Sequence, residues 1–136
     1  MKNKLLFYLL TTLTIYGCSK DDQQVDDPQI AILGKWELTH SGTGNNAPAV
    51  ESIGYEEYMS DSIFRFYNYA QQQFYTDKFW LNDSLLIKSF SYIDVVDSDT
   101  ILLVEPYKYE FINRNKLILY FQYPAIQTTF IYKRIK

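Results

Sequence analysis

The chain has 136 residues and a formal net charge of −3, with 13 Lys and Arg against 16 Asp and Glu. One histidine and one cysteine exclude a multi-histidine metal centre and an internal disulfide. The acidic balance argues against nucleic acid as a partner, and no glycine-rich phosphate loop or other cofactor motif is present.

At the N-terminus Lys2 and Lys4 precede an apolar run from Leu5 to Tyr16, the charged-then-apolar layout of an export signal. A helix of about 12 residues rises only about 18 Å, too short for a hydrocarbon core of about 30 Å. The run ends in Ile15-Tyr16-Gly17-Cys18, which resembles the lipobox of bacterial lipoproteins; Tyr16 is bulkier than the usual occupant of its position. The resemblance implies cleavage before Cys18 and lipidation of that cysteine. Several acyl chains, each CH2 contributing about 0.8 kcal/mol on burial, would make a stable membrane anchor. Lipidation also accounts for the single thiol. Loss of residues 1–17 removes two basic residues and no acidic ones, taking the net charge from −3 to −5.

Residues 18–31 are acidic and polar and lack apolar periodicity, so they are expected to form a disordered tether. Lys20-Asp21-Asp22 resembles the surface-export signal of some Gram-negative lipoproteins, and a plain solvated linker fits the same residues. The expected address is therefore the bacterial outer membrane, on its periplasmic or cell-surface side. Residues 32–136 suffice for one domain.

From Ile32 onward short runs alternate in polarity, are rich in Phe, Tyr, Ile and Val, and predict strands separated by polar turns. The runs are Gly34 to His40, Tyr55 to Met59, Ile63 to Tyr67, Phe74 to Leu81, Leu85 to Phe90, Tyr92 to Val96, Thr100 to Glu105, Tyr107 to Ile112, Lys116 to Gln122 and Gln127 to Ile135. Ser41 to Pro48 reads as a loop. Asn82-Asp83-Ser84, Asp97-Ser98-Asp99 and Asn113-Arg114-Asn115 read as hairpin turns. The expected fold is all-β, an antiparallel meander of eight to ten strands closed into a barrel so that neither edge is left open.

Gly34-Lys35-Trp36 within Ile32–Leu38 resembles the Gly-x-Trp opening strand of lipocalin-like domains. The Tyr92-Ile93 run, the paired hairpins and the closing Phe130-x-Tyr132-x-Arg134 are similar to small lipocalin-like bacterial lipoproteins. The resemblance implies that Arg134 packs over Trp36 at the barrel base, a contact contributing about 0.5–2 kcal/mol. It also implies a cavity for a small apolar ligand, with Phe64, Phe66, Phe79 and Leu81 as candidate lining.

Little else points to chemistry. His40 stands beside a loop with no second histidine, and no catalytic residue is assigned. Glu56 and Glu57 are adjacent on a strand and point to opposite faces, so they cannot address one substrate together. Asp97 and Asp99 fit a turn. A non-enzymatic binding domain is therefore expected. The alternative to the cavity is a sticky outer face for a glycan or protein partner, built from Tyr107, Tyr109, Tyr123 and Trp80.

Overall fold

The computed structural model describes residues 25–93, 100–123 and 125–136. Cys18, the signal, the tether up to residue 24 and the turn Asp97-Ser98-Asp99 lie outside the described residues. A single turn of helix, α1 (Pro28–Ala31), precedes β1 (Gly34–Thr43), β2 (Gly54–Tyr58), β3 (Ile63–Asn68), β4 (Gln73–Leu81), β5 (Leu85–Ile93), β6 (Thr100–Asn113), β7 (Lys116–Tyr123) and β8 (Ile126–Ile135). Each strand pairs antiparallel with the next, and β8 returns to β1, closing an eight-stranded barrel. Closure leaves the meander without a first or last edge.

The ten runs read from the sequence become eight strands by two mergers. The Tyr92 run is the continuation of β5, with Tyr92 opposite Ile101 and Ile93 opposite Thr100. Thr100–Glu105 and Tyr107–Ile112 are one strand that passes through Pro106. That proline lies just before the pairing with β7 begins at Tyr107, so its missing N–H costs no bond to β7.

Two further departures matter for the site. β1 runs on to Thr43, because Ser41, Gly42 and Thr43 pair with Phe130, Thr129 and Thr128 of β8. This long-range ladder overrides the loop-like composition of the segment. In addition, Pro28–Ala31, within the stretch read as tether, is helical, with Asp27 capping the amide of Gln29 at 2.9 Å.

The chain from Asp27 to Leu33 plugs one end of the barrel, which we call the base. Ile32 is fully buried there, and the Trp36 indole N–H donates to its carbonyl at 2.7 Å. The Arg134 guanidinium lies 4.3 Å from the centre of the Trp36 ring, in cross-strand register with it. It donates to the carbonyls of Leu33 at 2.6 Å and of Ala31, and its Nε donates to Arg114 at 2.7 Å, tying α1 and the β6–β7 turn together. Gly34 has φ +114°, and a Cβ there would stand 2.8 Å from this guanidinium. Glycine is required because L side chains rarely adopt this φ, and the guanidinium also occupies the space a Cβ would take.

The other end carries the long β1–β2 connection, residues 44–53. This segment folds back along the outer half of β1: Ser41 N–H donates to Pro48 O at 3.0 Å and Val50 N–H to Thr39 O at 2.9 Å, with a bridge between His40 and Ala49. Gly42 permits the approach, since a Cβ there would meet Pro48 Cδ at 2.6 Å. Between the two ends the core is built on Trp36, Tyr58, Phe64, Phe79, Leu86, Tyr107, Leu117, Leu119 and Tyr132.

Candidate functional site

Alternation along β2 turns Gly54, Glu56 and Tyr58 toward the interior, and along β5 it turns Leu86, Lys88 and Phe90 inward, with Leu86 and Lys88 opposite Leu81 and Phe79 of β4. A carboxylate and an ammonium thereby meet inside the barrel. Glu56 Oε2 accepts from Lys88 Nζ at 2.7 Å and from Tyr58 OH at 2.6 Å, and its Oε1 accepts from Tyr132 OH at 3.0 Å. Lys88 is 2% exposed, and its ammonium is caged by the rings of Phe64, Tyr107, Tyr58 and Tyr132, with centroids 4.9, 5.0, 5.6 and 5.8 Å away. Ring faces and carboxylate together replace the water that a buried cation has lost.

Burial, followed by the nearby Glu56 charge, pushes the phenols of Tyr58 and Tyr132 well above their ordinary value. Tyr107 is raised too, by burial and by its 2.5 Å hydrogen bond to Glu105. All three are held as neutral donors. Within the cluster Lys88, Tyr58 and Tyr132 each donate to Glu56.

Next to this cluster, beneath the β1–β2 connection, lies a cavity of about 250 Å3. Its apolar walls are Trp36, Leu38 and Phe66 from the barrel and Val50 and Ile53 from the connection. Glu56 and Tyr132 form its polar floor, and Glu51, Ser41 and Ser52 stand around it. The Glu56 side chain retains 15% exposure, whereas Lys88 is not part of the lining.

The four residues proposed from the sequence as cavity lining do not share one cavity. Phe66 lines the one just described. Phe64 and Phe79 are core residues packed on Tyr58, with ring centroids 5.3 and 4.9 Å away. Phe79 and Leu81 also border a separate space of about 350 Å3 under α1 at the base. The sequence missed Glu56, Lys88, Tyr58 and Tyr132 as a group. A usable signal was present, since a charge of each sign falls at an inward position of an otherwise apolar strand face.

The outer face also differs from expectation. Tyr107 is 8% exposed and turned inward, because its register partners Leu86 and Phe121 face the core. Tyr109 faces inward beside Phe111 and donates to Asn82 O at 3.0 Å. Trp80 is exposed, and Tyr123 ends β7. Beside the exposed Trp80, the outer face carries Tyr55, Tyr67 and Phe74, laddered across β2, β3 and β4, with Tyr69 next to them. Lys35 and Arg65 stack over this ladder. Tyr69 donates to Glu37 at 2.6 Å, which pushes the phenol up to about 12 and the carboxyl down.

These features define a class: a closed, eight-stranded, up-and-down antiparallel barrel, plugged at the base and carrying a half-open pocket beneath the β1–β2 connection at the opposite end. No protein-family model matches the chain, and neither does any curated protein. Among solved structures, an uncharacterized protein from Bacteroides eggerthii superposes with a TM-score of 0.52 at 12% identity, covering 76% of this chain and 99% of that one. At that identity the likeness shows the shared fold alone.

Proposed function

We propose that the chain is a membrane-anchored, lipocalin-like lipoprotein that holds a small molecule beneath its β1–β2 connection and catalyses no reaction. The observation that carries the reading is the cavity of about 250 Å3, with apolar walls and a few convergent polar groups on its floor. An apolar cavity of about 150 Å3 already accepts benzene, so this space suits a molecule of one ring or a short branched chain. The non-catalytic part of the reading is supported by the bonding of Lys88, Tyr58 and Tyr132, each of which already donates to Glu56.

The anchor rests on the lipobox-like Ile15-Tyr16-Gly17-Cys18, and the outer-membrane address on the residues after it. Two measurements test the proposal. Calorimetric titration with single-ring probes should give saturable binding to the wild type that Val50→Trp, which fills the cavity, abolishes; unchanged binding to the variant removes the site. Weighing the mature N-terminus from a lipoprotein-processing host should show diacylated Cys18, and a free thiol would remove the anchor.

The second reading, a glycan- or protein-binding face, finds support in the outer ladder of Tyr55, Tyr67, Phe74 and Tyr69. It ranks lower because Lys35 and Arg65 already occupy two of those rings, Tyr55 and Phe74.

A further inference from the structure

Resting on the small-ligand reading, we infer that the cavity selects a one-ring-sized apolar molecule ending in a hydrogen-bond donor, an amine or a hydroxyl, and rejects carboxylates. Three of the four side-chain donors around the cavity, all but the Ser41 hydroxyl, are turned away from it. Trp36 Nε1 donates to Ile32 O at 2.7 Å, Ser52 Oγ to Gly54 O at 2.6 Å, and Tyr132 OH to Glu56 at 3.0 Å. What these groups leave facing a ligand is acceptor capacity.

An ionised carboxylate has about four lone-pair positions. Among the described residues, Glu56 uses two on Oε2, for Lys88 and Tyr58, and one on Oε1, for Tyr132. Oε1 therefore has room for one more donor, at the floor of the cavity. Glu51 adds a second carboxylate to the lining, while the one cation of the cluster, Lys88, lies behind Glu56 and outside the lining. A ligand carboxylate would find at most the Ser41 hydroxyl as a side-chain donor, set against two carboxylates and no counter-ion in the lining, and would stay largely unpaired. An ammonium or hydroxyl would complete the Glu56 shell, and Glu51 would favour the ammonium of the two. The aromatic walls Trp36 and Phe66 suit the rest of the molecule.

The test is calorimetric titration of the mature protein, at low salt and neutral pH, with four probes sharing one ring: 2-phenylethylamine, 2-phenylethanol, ethylbenzene and 3-phenylpropionate. The amine and the alcohol should bind at least about 10-fold more tightly than the hydrocarbon, and the carboxylate should not bind. Glu51→Gln, at the exposed rim, should erase the preference for amine over alcohol and spare the alcohol. The double variant Glu56→Gln with Lys88→Met, checked for folding by near-ultraviolet circular dichroism, should lose the advantage of both donors over ethylbenzene. If ethylbenzene or 3-phenylpropionate binds as tightly as the donors, the donor rule is overturned and the cavity reading survives. If none of the four binds, both fall. Should the double variant not fold, the wild-type ranking and Glu51→Gln decide the matter unaided.

Discussion

Glu56 shows how far a single residue can be read before its partners are known. Adjacency with Glu57 already says that the two carboxylates part to opposite faces, and in the barrel Glu56 meets Lys88 inside while Glu57 pairs with Arg65 outside at 2.7 Å. What no local pattern supplies is the inward partner, Lys88, 32 residues away and brought into reach only by the β2-to-β5 arrangement of the closed barrel. Breaking this pair is expected to be costly. Lys88→Met alone leaves Glu56 without its counter-ion and should destabilise the domain by about 3–5 kcal/mol, whereas adding Glu56→Gln should restore most of the loss. A urea-unfolding double-mutant cycle measures both; equal losses in the single and double variants would mean that the pair does not act as a unit. At the base, Trp36 and Arg134 lie face to face across β1 and β8, with carbonyls of two segments held by the same guanidinium. Arg134→Lys keeps the charge but loses the planar fork and the stacking, so a loss of about 1–3 kcal/mol is expected from the same unfolding measurement.

At the scale of elements, alternation was enough to locate nearly every strand, because one face of each is buried and the period of two is strict. The boundaries that escaped it were set from a distance. β8 recruits Ser41–Thr43 into β1, and the plug draws Pro28–Ala31 into a helical turn between Asp27 and the buried Ile32. The cavity roof was invisible for the same reason: nothing local says that residues 44–53, which follow the loop-like Ser41–Pro48 composition, fold back along β1. Gly42→Val tests that roof, since its side chain would push into Pro48; both the thermal midpoint and probe affinity should fall, and unchanged binding would detach the roof from the site. The β5–β6 hairpin gives a contrasting expectation. β4 pairs with β5 only as far as Ser89, and β7 with β6 only from Tyr107, so Phe90–Ile93 and Thr100–Val104 pair chiefly with each other and expose Tyr92, Leu102, Leu103 and Val104. Amide hydrogen exchange should therefore be much faster at Leu102 and Leu103 than at Leu117 and Leu119; equal protection would contradict this picture.

For the whole molecule, barrel closure was legible as the way for a meander of this length to hide its edges. The distribution of the aromatic rings was not. The sticky-face alternative placed Tyr107 outward, whereas its register with Leu86 and Phe121 turns it into the core beside Lys88. That core sets the response to alkali. Tyr58, Tyr107 and Tyr132 have folded-state pKa values raised above their ordinary value of 10.0. Below pH 10 they are protonated whether the chain is folded or not, so the stability they confer is fully present. Above pH 10 the unfolded chain loses protons that the folded chain keeps, and stability should fall by about 1.4 kcal/mol per pH unit for each phenol until the folded form titrates. Absorbance at 295 nm should report their ionisation in one cooperative step that coincides with loss of near-ultraviolet circular dichroism. Gradual ionisation with the fold intact would show that these rings are accessible.

The central claim is that the barrel holds a small molecule beneath the β1–β2 connection. Native mass spectrometry of the mature protein purified from its own cells tests it most directly. The expected spectrum shows a non-covalent adduct of a molecule small enough for about 250 Å3, present in the wild type and absent from Val50→Trp. A wild-type protein that carries no adduct and shows no saturable uptake of any single-ring probe would contradict the claim.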